Sequence, residues 1–312
     1  MTARKIIIDT DPGQDDAVAI LLAFASPELE VVAITTVAGN VPLPLTTRNA
    51  LMMCELAGRT DVPVHAGSRR PMVRDLVTAE YVHGESGLDG AGLAEPTMPV
   101  AQGHAVDAII EIVMSAAVGE ITICPLGPLT NVGLALVREP QIAGRLREIV
   151  LMGGGFFEGG NRTPAAEFNI YVDPHAADVV FRSGVPITMM PLDVTHKALT
   201  SPQRLAQFAA IDTPAGRAVH GMLDFFERFD IERYGTQGGP LHDPCVIAYL
   251  LEPTLFGGKH VSVRIETGSE LTMGMTVVDW WGATDGLANA TVMREIDADR
   301  FFSLLADRIS RL

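Results

Sequence analysis

Short apolar runs alternate with helical patterns along the first 195 residues of the chain. Ile6 to Ile8 reads as a buried strand, and an apolar helix begins at Ala17, with Asp15 or Asp16 placed to cap it. Further strands are predicted over 30–38, 62–66, 120–125, 148–152 and 186–192, and helices over 47–57, 105–117, 129–137 and 174–183. Residues 200–252 are mostly helical, broken by a turn-rich stretch over 234–244. Paired strands joined near Gly268 and Ser269 follow over 259–280, then a strand over 290–294 and a helix from Asp297. This alternation predicts an α/β fold: an open, mainly parallel central sheet flanked by helices, with extra C-terminal helices and a β-hairpin. No repeat or linker divides the chain, so residues 1–312 are expected to form one domain. Residues 67–103 are weakly periodic and rich in Gly and Pro, and a loop that long in a compact domain is usually functional.

The polar pattern sharpens this picture at one place. Directly after the first strand come Asp9, Asp11, Asp15 and Asp16, with Pro12 and Gly13 between them. In open α/β sheets, ligands bind at the C-terminal edge of the strands. Acids so close together repel one another unless protons or a cation compensate, and a hard divalent cation takes oxygen ligands. Other strand ends add Asn40, Leu126 with a free backbone carbonyl, Gly153 to Gly155, Asn161, Glu167, Asn169 and Asp193, and a late His242-Asp243 pair precedes a helix. Singly, most are ordinary turn or cap residues. Their convergence on one sheet edge points to a site. The triple glycine lacks the Lys-Ser/Thr of a phosphate loop and the spacing of a dinucleotide fingerprint. The histidines at 65, 104, 175, 196, 220 and 260 have no comparable setting and read as structural.

Composition narrows the partners. The formal net charge of −15 argues against nucleic acid or an anionic membrane and suits a small substrate. Cys54, Cys124 and Cys245 are widely spaced in apolar contexts and read as free thiols of a reducing compartment. No signal peptide of the usual form and no bilayer-spanning run is evident, so a cytoplasmic location is expected.

With these residues in hand, the chain closely resembles the inosine–uridine-preferring nucleoside hydrolases. DTDPGQDDAVA (9–19) carries the resemblance, supported by TVAGN (36–40), HGESGL (83–88), LGPLTN (126–131), LMGG (151–154), NRTPAAEFN (161–169), YVDPHAA (171–177) and LHDP (241–244), across nearly the whole chain. The resemblance implies a calcium enzyme that hydrolyses the N-glycosidic bond of ribonucleosides to ribose and free base, in nucleoside salvage, as a homotetramer or homodimer. It implies Asp11, Asp16, Asp243 and the carbonyl of Leu126 as metal ligands. Many relatives have Thr at the Leu126 position, which matters little for a backbone ligand. It implies that Asp15, Asn40, Asn161, Glu167 and Asn169 grip the ribose, that Met152 and Phe168 give apolar contacts, and that His83 and His242 lie beside the base. Asp11 would take a proton from a calcium-held water, and His242 would protonate the leaving base. Histidine at both 83 and 242 favours a broad or pyrimidine-preferring type over the purine-preferring subgroup. Tyr234 and Gln237 are further candidates for the base side. Asp9 remains as support at the strand end.

Two other functions fit parts of the pattern. Asp9-Thr10-Asp11 after an apolar strand is similar to the start of haloacid-dehalogenase-type, magnesium-dependent phosphatases, but leaves the Asp15-Asp16 pair and the Asn/Glu set unexplained. A non-catalytic, calcium-stabilised nucleoside- or ribose-binding protein would not need Asp11 or His242.

Overall fold

A computed structural model describes residues 3–235 and 238–312, without the side chains of Phe229, Asp230, Arg233 and Tyr234. The expected base-side roles of Tyr234 and Gln237 therefore lie outside the described residues. The first half of the chain runs β1 (Arg4–Thr10), α1 (Gln14–Phe24), β2 (Leu29–Thr36), α2 (Leu43–Leu56), β3 (Val64–Ala66), α3 (Glu80–His83), α4 (Ala105–Ser115), β4 (Ile121–Pro125), α5 (Thr130–Arg138) and β5 (Glu148–Met152). It continues through α6 (Phe168–Val172), α7 (Pro174–Phe181), β6 (Ile187–Met190), α8 (Leu192–Thr195), α9 (Pro202–Ala209), α10 (Pro214–Tyr234) and α11 (Pro244–Leu251). The last elements are β7 (Phe256–Val261), β8 (Val263–Ile265), β9 (Thr276–Val278), β10 (Ala290–Ile296) and α12 (Ala298–Ile309).

Eight strands form the main sheet in the order β3-β2-β1-β4-β5-β6-β10-β7. All neighbours are parallel except β10 and β7. The expected pairing over 259–280 is only partly as observed. β8 and β9 do form an antiparallel pair, but β7 leaves it and closes the main sheet beside β10.

Helices cover both faces, which explains why β1 is apolar at every central position. Ile6 and Ile8 join the core on one face with α1, α11 and α12, whereas Ile7 joins the core on the other with Ile123, Ile149 and Val180. α1 is buried along its length from Gln14 to Ala23. Its N-cap is Gly13, not Asp15 or Asp16. Asp16 sits one turn in and reaches back to accept from the Gly13 amide at 3.0 Å. No helix among the described residues is long and apolar enough to cross a membrane.

The strand order reverses direction between β1 and β4, so a crevice opens beyond their C-terminal ends. Asn131, at the start of α5, fastens this point. Its amide nitrogen donates to Asp9 Oδ1 (2.8 Å) and the Thr36 carbonyl (3.0 Å), and its oxygen accepts from the Ser68 amide (2.9 Å). The Asp9 carboxylate also accepts from Thr35 (2.6 Å), which makes it a strand-end anchor, as expected. Asn131→Leu would strand buried polar partners on three segments. It should lower unfolding stability by about 2–4 kcal/mol in urea titrations. A change within roughly 0.5 kcal/mol, the range of an ordinary surface substitution, would show that the junction does not depend on it.

Candidate active site

The chain leaves β1 through Asp11, whose carboxylate is wholly buried. Its Oδ2 accepts from the Asn40 amide at 2.6 Å, while Oδ1 has no hydrogen-bond partner. The loops after β2 and β4 close on it through glycines. A Cβ at Gly39 would lie 2.0 Å from Oδ2, and one at Gly127 2.1 Å from Oδ1. Asp16 accepts from the Thr10 hydroxyl, the Gly13 amide and the Asn40 side chain (3.1 Å). Asp243 occupies the N-cap of α11 with Pro244 behind it, yet its side chain makes no capping bond. It turns instead to the first turn of α1, where carboxylate oxygens of Asp15, Asp16 and Asp243 lie within 4.8 Å of one another.

This crowding shows in the proton affinities. Burial, followed by mutual repulsion, raises Asp11 and Asp243 well above the usual carboxylate range and Asp15 to about 7. Asp16 is also raised by burial, against the donors that favour its charge. Close carboxylate oxygens, a bare buried Oδ1 on Asp11 and unrelieved repulsion fit a hard divalent cation.

Above the cluster is a cavity of about 500 Å³, the size of a small-ligand site. Asp15, Asn40, His83, Leu126, Met152, Asn161, Glu167, Phe168, Asn169, His242 and Asp243 all line it. Glu167 caps α6 by accepting from the amides of Asn169 (2.8 Å) and Ile170 (3.1 Å), and it accepts from Gly154 at 2.9 Å. Burial lifts its pKa to about 7. Asn161 accepts from the Phe168 amide at 2.9 Å. The Asn169 amide donates to the carbonyls of Leu126 (2.7 Å) and Met152 (3.2 Å), so the Leu126 carbonyl points toward the site. His242 pairs through Nδ1 with the Thr195 hydroxyl at 2.8 Å, and burial, aided by the neighbouring histidines, depresses its pKa to about 3.

Residues 6–303 match the family model described as inosine-uridine preferring nucleoside hydrolase. The chain belongs to this family. An uncharacterized protein of Schizosaccharomyces pombe is 54% identical over 99% of both chains. The pyrimidine-specific ribonucleoside hydrolase RihA of Escherichia coli K12 is 49% identical over 98% of both. Among solved structures, the purine-preferring ribonucleoside hydrolase from Gardnerella vaginalis superposes with a TM-score of 0.92 at 33% identity, covering 98% of each chain. The protein is thus an N-ribohydrolase of the nucleoside hydrolase fold, which sets aside the phosphatase and binding-protein readings.

The cavity holds residues that patterns along the chain do not single out. His196, read as structural from the sequence, lines the cavity with its ring 5.9 Å from that of His242 and Nδ1 3.5 Å from Glu158. Its one visible signal is its place just past β6. Phe226 of α10 also lines the cavity and stacks on His83 at 5.6 Å, but in sequence it looks like any core phenylalanine of a helix. The expectation for Asp193 is corrected. Its carboxylate accepts from the amides of Phe156 (2.9 Å), Phe157 (2.8 Å) and Glu158 (3.2 Å) and so anchors a loop at the cavity wall. The long segment 67–103 does serve the site, delivering Tyr81, Val82 and His83 on α3.

The raised carboxylates fix the sign of a pH effect. Their ionised forms are disfavoured in the fold, so the stability they contribute is full below the unfolded carboxylate range and is lost as pH rises from about 4 to about 7, outweighing the opposite, smaller effect of the buried His83 and His242 below about 6.5. Cation-free protein should melt lower at pH 8 than at pH 5, and millimolar calcium should recover most of the loss at pH 8. The Asp243→Asn variant should flatten both effects. A melting temperature indifferent to calcium at pH 8 would count against a cation at the cluster.

Proposed function

We propose that the protein is a calcium-dependent ribonucleoside hydrolase of pyrimidine or inosine type, with pyrimidine nucleosides preferred. The observation that carries this reading is the convergence of Asp15, Asp16 and Asp243 at the base of a cavity walled by Asn40, Glu167 and Asn169, with the buried Asp11 carboxylate close enough to feel their charge. The base preference is drawn from the resemblance to pyrimidine-specific RihA and from the histidines at 83 and 242.

Asp11, Asp16, Asp243 and the Leu126 carbonyl would hold the ion. When bound, calcium supplies positive charge that lets the carboxylates ionise together, and Lewis acidity toward water. Asp11, with one oxygen bare, takes the proton of the water that attacks C1′. Asp15, Asn40, Asn161, Glu167 and Asn169 grip the ribose hydroxyls, while Met152 and Phe168 pack on the sugar. As the C1′–N bond breaks, its electrons leave with the base and positive charge grows on the ribose ring. Carboxylates and amide oxygens fixed in a buried site stabilise that charge more than they stabilise neutral substrate. No covalent intermediate is needed. His242 gives a proton to the departing base, directly or through a water. Its low pKa makes the protonated ring a strong acid but a scarce one. The proposal extends to residues 1–312 working as one domain, in the cytoplasm, in a homodimer or homotetramer.

Purified protein with calcium should release reducing sugar from uridine, cytidine or inosine, and a strong chelator should abolish the release. Asp11→Ala should lose turnover by orders of magnitude, read as kcat. His242→Ala should slow natural nucleosides by roughly a hundredfold or more but leave a nitrophenyl riboside nearly unaffected. Equal losses on both would remove His242 from the acid role. No release from a broad ribonucleoside panel would sink the proposal.

A further inference from the structure

The residue between the glycine cap of α1 and its carboxylates is Gln14, whose side chain turns to His83. Its side chain is wholly buried. Its amide nitrogen donates to two carbonyls, those of His83 (2.9 Å) and Asp89 (3.2 Å). Its oxygen lies 2.7 Å from His83 Nδ1. The two carbonyls fix the orientation of the amide, because a flipped group would set oxygen against oxygen. An amide oxygen can only accept, so Nδ1 must carry the proton in that contact. Burial holds the ring neutral. A neutral imidazole with hydrogen on Nδ1 has a bare lone pair on Nε2. Nε2 has no partner among the described residues and is not sealed off, and His83 lines the cavity. The ring cannot swing away: Phe226 stacks on it at 5.6 Å, and a Cβ at Gly13 would already lie 2.4 Å from Nδ1.

We propose that Gln14 is a positioning residue that holds His83 in its Nδ1–H form, so that Nε2 accepts a hydrogen bond from an O–H or N–H donor of the bound nucleoside. This rests on the hydrolase reading above for the identity of the ligand. It makes His83 an acceptor at the cavity wall, a role that the histidine's presence in the sequence leaves undefined. With the 2′- and 3′-hydroxyls taken up by the carboxylates and amides at the cavity floor, uridine has two donors left: its 5′-hydroxyl and the N3–H of its base.

Long-range proton–nitrogen NMR of the wild-type protein with calcium, assigned by difference with His83→Gln, should show His83 protonated at Nδ1 and bare at Nε2. Hydrogen on Nε2, or on both nitrogens, overturns the proposal whatever the enzyme turns over. Gln14→Met keeps the bulk and removes the acceptor. It should move the ring toward the Nε2–H form and lower kcat/KM for uridine roughly tenfold, the size of one hydrogen bond. The loss should vanish on 5′-deoxyuridine if the hydroxyl is the donor, and on N3-methyluridine if the base is. An equal loss on all three substrates overturns the proposal and leaves Gln14 a residue of the fold. If no ribonucleoside is turned over by wild type, the hydrolase reading fails on its own, and the NMR arm still decides the ring's form.

Discussion

Negative charge packed out of reach of water is the constraint around which the rest of the protein is arranged. Asp11, Asp15, Asp16 and Asp243 are buried near one another, and their proton affinities rise in consequence. The fold relieves part of the strain with its own donors. Asn40 gives its backbone amide to Asp11 and its side chain to Asp16, and Thr10 and Gly13 add two more. The remainder is left unpaired, most plainly at Asp11 Oδ1. Glycines at 39 and 127 let two neighbouring loops approach that carboxylate closely, so the absence of a side chain there is itself part of the site. A site of this kind trades stability for electrostatic readiness, because the oxygens that crowd one another are those that can meet a cation and a growing positive charge.

The sheet brings these groups together by topology rather than by sequence proximity. β1 and β4 lie side by side at the reversal of strand order, and Asp11 and Leu126 follow them directly. α11 then carries Asp243 back from more than two hundred residues away and packs against α1. The cavity walls come from elsewhere: α3 and α10 supply an aromatic and histidine side, and the loop pinned by Asp193 supplies another. Core and charge therefore belong to the sheet, and shape belongs to its insertions.

Much of this was legible along the chain, for physical reasons that differ by element. The strand–loop–helix from Ile6 to Leu22 was plain because a strand buried on both faces is apolar throughout, and the polar residues after it stand out. The residues of the cavity floor were legible as polar residues at strand ends and helix starts. Phe226 and His196 were not, since they enter the cavity through helix packing and from the end of the one-turn helix α8, where no periodicity marks them. β7 reads like half of a hairpin because antiparallel pairing with β9 or with β10 demands the same local pattern; only the tertiary arrangement chooses. The capping of α1 was misplaced by the same ambiguity, as an acidic residue one turn inside a helix can serve its end as well as one at the cap.

α1 has no solvent-facing side over its first ten residues. A helix gripped all round cannot rotate, so a residue added or removed between Asp16 and the apolar run behind it would turn Asp15 and Asp16 by about 100° about its axis. Its apolar side chains are thus the gauge that sets where the carboxylates point. A change in the α3 segment or at Phe226 of α10 can therefore reshape the cavity wall without turning α1.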